Sequence, residues 1–249
     1  MTVPHPPPRR RLWLVIGGLV TAVLLGLGAL GAWWLLTGRG VQQTQHTTTT
    51  EAMAPETISV HGTGANVSLN GADVAEVTAD IATAWYTSEP VVDTQQRAQQ
   101  LVVDLYCRHR SIPVWFSPSC SIEYTAQVPS SAGATVELDS GKVAIENLAG
   151  ELTLRTVAGD ISVTDGPQTL DARSSSGQID LEFSTPISHI EAQSVAGNIT
   201  VLVPRGETYR VLTSSTTGTV SVAVDTDTAS ETLIDARSST GNITVDYAD

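Results

Sequence analysis

Five histidines, two cysteines and a scatter of carboxylates are the side chains with which this 249-residue chain could do chemistry. A zinc site needs three or four ligands at close spacing, and His5, His46, His61, His109 and His189 form no such pattern. β-Rolls hold calcium in Gly- and Asp-rich turns, but that nonapeptide is absent and Asp160, Asp165 and Asp180 do not recur at ligand spacing. The G-x-S-x-G elbow, the P-loop and H-E-x-x-H are missing too. The expectation is a non-enzyme with no catalytic residue, metal or cofactor. Cys107 and Cys120 flank twelve residues. Redox chemistry would favour C-x-x-C, so a structural disulfide is expected, closing a loop for about 3 kcal/mol.

A second set of polar residues recurs in register: Asp171 with Arg173, Glu191 with Gln193, Asp235 with Arg237, and Arg155 on the same track. Such a stripe could hold a charged sugar or a peptidoglycan stem. As an exposed ladder of ion pairs it contributes about 0–1 kcal/mol per pair, and that plainer role is the one expected.

The elements that would position these residues follow from charge and periodicity. Residues 1–40 carry four arginines and no acid, leaving nine basic and 26 acidic side chains in the other 209 residues. That larger part is strongly acidic, which excludes a phosphate-binding surface; no nucleic acid is expected. The hydrophobic share of 41% is too high for a disordered chain.

Residues 12–37, LWLVIGGLVTAVLLGLGALGAWWLLT, contain no charge. As a helix they would reach roughly 39 Å, enough to cross a lipid core with some tilt. Trp13 stands at one end and Trp33 and Trp34 at the other, where indoles favour the interfaces. Arg9, Arg10 and Arg11 precede the run and only Arg39 follows closely. The expected organisation is a short basic cytoplasmic stub (1–11), a transmembrane signal anchor (12–37), a polar linker (38–56) and an extracellular β domain (57–249). A cleaved signal peptide would normally have a shorter apolar core. The N-terminus is thus expected in the cytoplasm, with the plasma membrane as first partner.

Within the β domain, glycine followed by x-[IV]-x-[VIL] recurs, most clearly over 141–247. GKVAI begins at Gly141, GDISV at Gly159, GQIDL at Gly177, GNITV at Gly197, GTVSV at Gly218 and GNITV at Gly241. The steps of 18, 18, 20, 21 and 23 residues mark a solenoid, whose coils bury apolar faces by stacking. Two positions after each glycine stand Val143, Ile161, Ile179, Ile199, Val220 and Ile243, expected as one inward track. Seven before stand Leu152, Leu170, Ile190, Val211 and Ile234, a second strand per coil. The glycine marks a bend that is left-handed or too crowded for a Cβ. Residues 93–106 suit a loop or short helix feeding a strand.

The stretch YTAQVPSSAGATVELDSGKVAIENLAGELTLRTVAGDISV, with SSSGQIDL, SVAGNITVLVP and SSTGNITV, resembles a bacterial β-strand-repeat family of unknown function labelled "putative adhesin". The resemblance implies a β-solenoid-like fold and a cell-surface setting, and brings no catalytic residues. The fold class expected is mainly β, a parallel β-solenoid or β-roll behind one transmembrane helix. The function expected is adhesion or cell-envelope binding, with an envelope glycan or a surface protein as ligand. The alternative is an envelope sensor acting through a protein partner.

Overall fold

The computed structural model describes residues 8–37, 42–51, 54–86, 89–107 and 120–248, with helix side chains described at 16–31 and 33. Most of the expected stub, with His5, and the segment 108–119, with His109, lie outside the described residues. The chain forms two units, Met1–Gln42 and Gln43–Asp249.

In the first unit, helix α1 runs Pro8–Thr37. No proline interrupts it after its first residue, and Leu, Ala and Val supply its propensity. All described side chains from Ile16 to Gly31 are exposed. Among the described residues no helix is long and apolar enough to cross a membrane. The uncharged run 12–37 extends beyond those described side chains on both sides.

The second unit is built from two-strand coils. A strand β1 (Gln43–Glu51) comes first, then coil 1 with β2 (Thr57–Thr63) and β3 (Ala65–Ala72). Strands β4 (Val77–Trp85) and β5 (Val91–Arg97) separate it from coil 2, β6 (Gln100–Tyr106) and β7 (Ser121–Pro129). Coil 3 is β8 (Gly133–Ser140) and β9 (Val143–Glu146); coil 4 is β10 (Leu152–Ala158) and β11 (Ile161–Thr164). Coil 5 is β12 (Thr169–Ser176) and β13 (Ile179–Glu182); coil 6 is β14 (His189–Ala196) and β15 (Ile199–Val203). Coil 7 is β16 (Arg210–Thr217) and β17 (Val220–Val222), and coil 8 is β18 (Leu233–Thr240) and β19 (Ile243–Tyr247).

First strands of the coils join in one sheet, here the entry sheet, and second strands in the exit sheet. Both sheets are parallel through the coils. Ile161 stands beside Ile179, Ile179 beside Ile199, and Ile199 beside Ile243. These four are fully buried. On the entry sheet Leu152, Leu170, Ile190 and Ile234 form the matching track, also buried. Alternation supplies the reason: every second side chain of each strand points into one core.

The stacking order departs from the chain order at both ends. In each sheet the coils run 2, 1, 3, 4, 5, 6, 8, 7. Coil 8 therefore lies between coils 6 and 7, and Val220, expected in the core, belongs to the outermost coil. It is 40% exposed and Val222 38%, because nothing among the described residues stacks beyond them. At the other end, β4 and β1 continue the exit sheet antiparallel past coil 2, and β5 continues the entry sheet.

Two expectations are corrected there. Gln43–Glu51, inside the expected linker 38–56, is a strand paired along its length with β4, and the Thr48 hydroxyl donates to Asp80 at 2.7 Å. β-Branched threonine favours such extended pairing even without an apolar face. The segment 93–106, expected to begin as a loop or short helix, is instead a hairpin of β5 and β6, turning at Ala98 with a φ of 55°. Pairing with β6 outweighs the capping signal of Asp93 and Thr94.

Candidate functional site

The repeat fixes three polar tracks before any ligand is considered. At the bend, each glycine sits against its neighbour's backbone. A Cβ on Gly159 would lie 1.7 Å from the Gly141 carbonyl oxygen, and one on Gly197 would lie 1.8 Å from that of Gly177. Crowding, rather than φ, is what all six repeat glycines (Gly141, Gly159, Gly177, Gly197, Gly218 and Gly241) share. Three residues earlier a hydroxyl points inward. Ser174 donates to the Gly159 carbonyl at 3.1 Å, Ser238 to Gly197 at 3.1 Å and Ser215 to Gly241 at 2.8 Å. Such a partner satisfies the inward hydroxyl, so Ser suits this place; Thr156, its equivalent in coil 4, is buried without one.

One residue after the glycine, Asn and Asp side chains cross between coils. The backbone N–H of Gln178 donates to Asp160 Oδ1 at 3.0 Å, that of Asn242 to Asn198 Oδ1 at 2.8 Å, and that of Thr219 to Asn242 Oδ1 at 2.9 Å. These side chains thus cap backbone amides of the next coil, and Asn198 and Asn242, each followed by x-Thr, are committed to that role.

The third track is the outer face of the entry sheet, where the strands border a shallow trough of about 830 Å³. Across it the register lines up His61, Glu137, Arg155, Arg173, Gln193 and Arg237 in one row. Two residues back in each strand runs a second row with Asp171, Glu191 and Asp235. Arg155 bridges Glu137 at 3.5 Å and Asp171 at 3.4 Å. Arg173 pairs with Asp171 and with Glu191 at 2.8 Å, and Gln193 donates to Glu191 at 2.7 Å. Arg237 pairs with Asp235 at 2.5 Å. Burial alone would lower the Arg173 pKa, but hydrogen bonding and charge pairing with Glu191 and Asp171 carry it above the ordinary value.

The structure therefore brings together all the ladder residues that the repeat pointed to. It adds His61, whose Nδ1 lies 3.5 Å from Glu137. Sequence spacing missed that pair because coils 1 and 3 meet only through the exchanged order. One outer oxygen of Asp171 and one of Asp235 are buried without a partner. Among the described residues no group of three His, Cys, Asp or Glu side chains could hold a metal.

Cys107 and Cys120 are joined, with Cα atoms 5.9 Å apart. They close coil 2 at the place where other coils bend through glycine, and Gly64 of coil 1 lies against the Cys107 Sγ. The bond ties the end of β6 to the start of β7. Its place is structural and away from the two charged rows.

The chain is similar to several solved structures at low identity. One is described as a "putative cell adhesion protein" from Clostridium sporogenes ATCC 15579, 9% identical over 84% of this chain and 100% of that chain, with a TM-score of 0.48. A "putative adhesin" from Bacteroides fragilis NCTC 9343 is 14% identical over 82% and 97%, with a TM-score of 0.38. Another from Parabacteroides distasonis ATCC 8503 is 12% identical over 85% and 98%, at 0.35. No curated protein matches the chain. The family Toastrack DUF4097 matches residues 56–248, so the chain, with its stacked coils and bend glycines, belongs to that family.

Proposed function

We propose that this chain is a single-pass plasma-membrane protein that displays its β domain outside the cell and binds a charged polymer of the envelope. Binding, not turnover, is its role in this reading. The observation that carries it is the trough, where Arg155, Arg173 and Arg237 stand in one row with His61, Glu137 and Gln193 and pair with Asp171, Glu191 and Asp235 of the row beside it. A polymer bearing both amino and carboxylate groups, such as a peptidoglycan stem, can exchange ion pairs with such a surface of mixed sign. Adhesion follows if the polymer belongs to another cell. The anchor is supported by the uncharged run 12–37 and its arginine asymmetry.

Sedimentation with purified peptidoglycan tests the reading. The full chain should co-sediment in a salt-sensitive way, and Arg155→Ala with Arg173→Ala should weaken binding about tenfold, while the fold loses less than about 1 kcal/mol per exposed pair. Unchanged binding in that variant would contradict a role for the trough. Recovery of one defined membrane protein instead, with no polymer bound, would favour the sensor reading.

A further inference from the structure

The outermost coil at the coil-7 end is unfinished. Among the described residues β16 pairs only with β18, and β17 only with β19, so both sheets end there on a free edge. Asp225–Asp227 covers Tyr209 at the entrance of β16, but does not run along the strand. Val220 and Val222 sit in register with Ile243 and Val245, which are fully buried one layer further in. A further layer would bury them in the same way.

Charge indicates what that layer is. Natural sheets protect free edges with charges, prolines or bulges. From Val211 to Val224 there is no charged side chain and no proline. Arg210 opens β16 and Asp225 and Asp227 border its entrance, so the uncharged stretch lies between them, in a domain so acidic that two copies would repel elsewhere. The opposite end carries His46 and Glu51 on β1, and Asp93 and Arg97 on β5. Head-to-tail stacking would set coil 7 against these charged edges, and against the reversed strand β5 in the entry sheet, whereas a two-fold axis needs only the coil-7 face.

We propose that this face is an interface between two copies of the chain. A two-fold axis normal to the sheets sets β16 antiparallel to the partner's β16 and β17 antiparallel to the partner's β17. Both free edges close together, and Val220 and Val222 face the same residues of the second copy. The entry sheet, and with it the charged trough, then runs on across the axis.

Single cysteines test this cleanly, because the described cysteines are paired and leave no free thiol. With the full chain in detergent, Ser221→Cys should give a cross-linked dimer with a short bismaleimide, and Ser68→Cys, on coil 1 toward the other end of the stack, should not. Light scattering should show dimer in the parent chain, and Val222→Lys should weaken it at least tenfold with the strand circular dichroism unchanged. If Val222→Lys fails to fold, Val220→Thr serves, with a smaller loss expected. A monomeric parent chain would overturn the proposal. So would a dimer indifferent to these changes and cross-linked equally from Ser68→Cys, because self-association would then use another surface.

Discussion

The two ends of the stack solve the same problem in opposite ways. At the coil-2 end, the parallel ladder is stopped by reversing direction. β4 and β5 run antiparallel to the coil strands they join, β1 runs antiparallel to β4, and their outer sides are polar. At the coil-7 end the ladder simply stops, and aliphatic side chains that should be core stay 38–40% exposed. Parallel coils propagate only through equivalent neighbours, so an end needs either a different kind of strand or another copy of the same kind. This chain has the first at one end and needs the second at the other.

Crowding at the bends gives the largest expected effect of breaking that contrast. Gly159→Ala forces a methyl into the Gly141 carbonyl between coils held on both sides, and should cost more than about 3 kcal/mol in denaturant unfolding. Gly218→Ala meets the Gly241 carbonyl at 2.1 Å, but coil 7 is held on one side only and can move outward. Less than half that loss is expected. Equal losses would mean that the end coil is as fixed as the middle.

Removing the disulfide acts on the sealed end. Cys107→Ser with Cys120→Ser should lower stability by about 3 kcal/mol, and hydrogen exchange should rise first in β6 and β7. Faster exchange confined to β16 would contradict the placement of the bond.

A smaller effect appears at alkaline pH. Burial, with the nearby Glu51 charge, pushes the Tyr124 phenol up to about 12, and burial with Glu207 and Tyr247 does the same for Tyr209. A phenol whose folded pKa exceeds its unfolded value, about 10, holds its proton in the folded state. The stabilisation is complete below pH 10 and lost as pH rises to about 12. The Tm should therefore fall across that window, less steeply in Tyr124→Phe; identical slopes would leave Tyr124 without a part in it.

What the sequence made legible was the repeating chemistry. Aliphatic tracks, bend glycines and the outer charge rows all recur at fixed offsets, and periodicity reports them directly. The order of coils was not legible, because in a parallel ladder Ile199 accepts Val220 or Ile243 equally well. Only weak signs distinguished coil 7: Thr213 where other coils have Leu, Val or Ala, Leu212 where coils 3 to 6 and 8 carry Thr or acids, and steps stretched to 21 and 23 residues. The longer connections span the exchange. The sealing strands were hidden for the opposite reason. β1 and β5 have no buried face to announce them, since their support comes from edge pairing rather than alternation.

Cross-linking between neighbouring strands tests the exchanged order most directly. Residues on adjacent strands lie within disulfide reach, and those two strands apart do not. Thr244 stands beside Thr200 on one side and beside Ser221 on the other. Under mild oxidation the cysteine pairs Thr200→Cys with Thr244→Cys, and Ser221→Cys with Thr244→Cys, should each form an intramolecular bond, mapped by mass spectrometry. The pair Thr200→Cys with Ser221→Cys should form no bond with each other within one chain. A bond in that third pair, with none in the first, would mean that the coils stack in chain order and that coil 7 is not the open end.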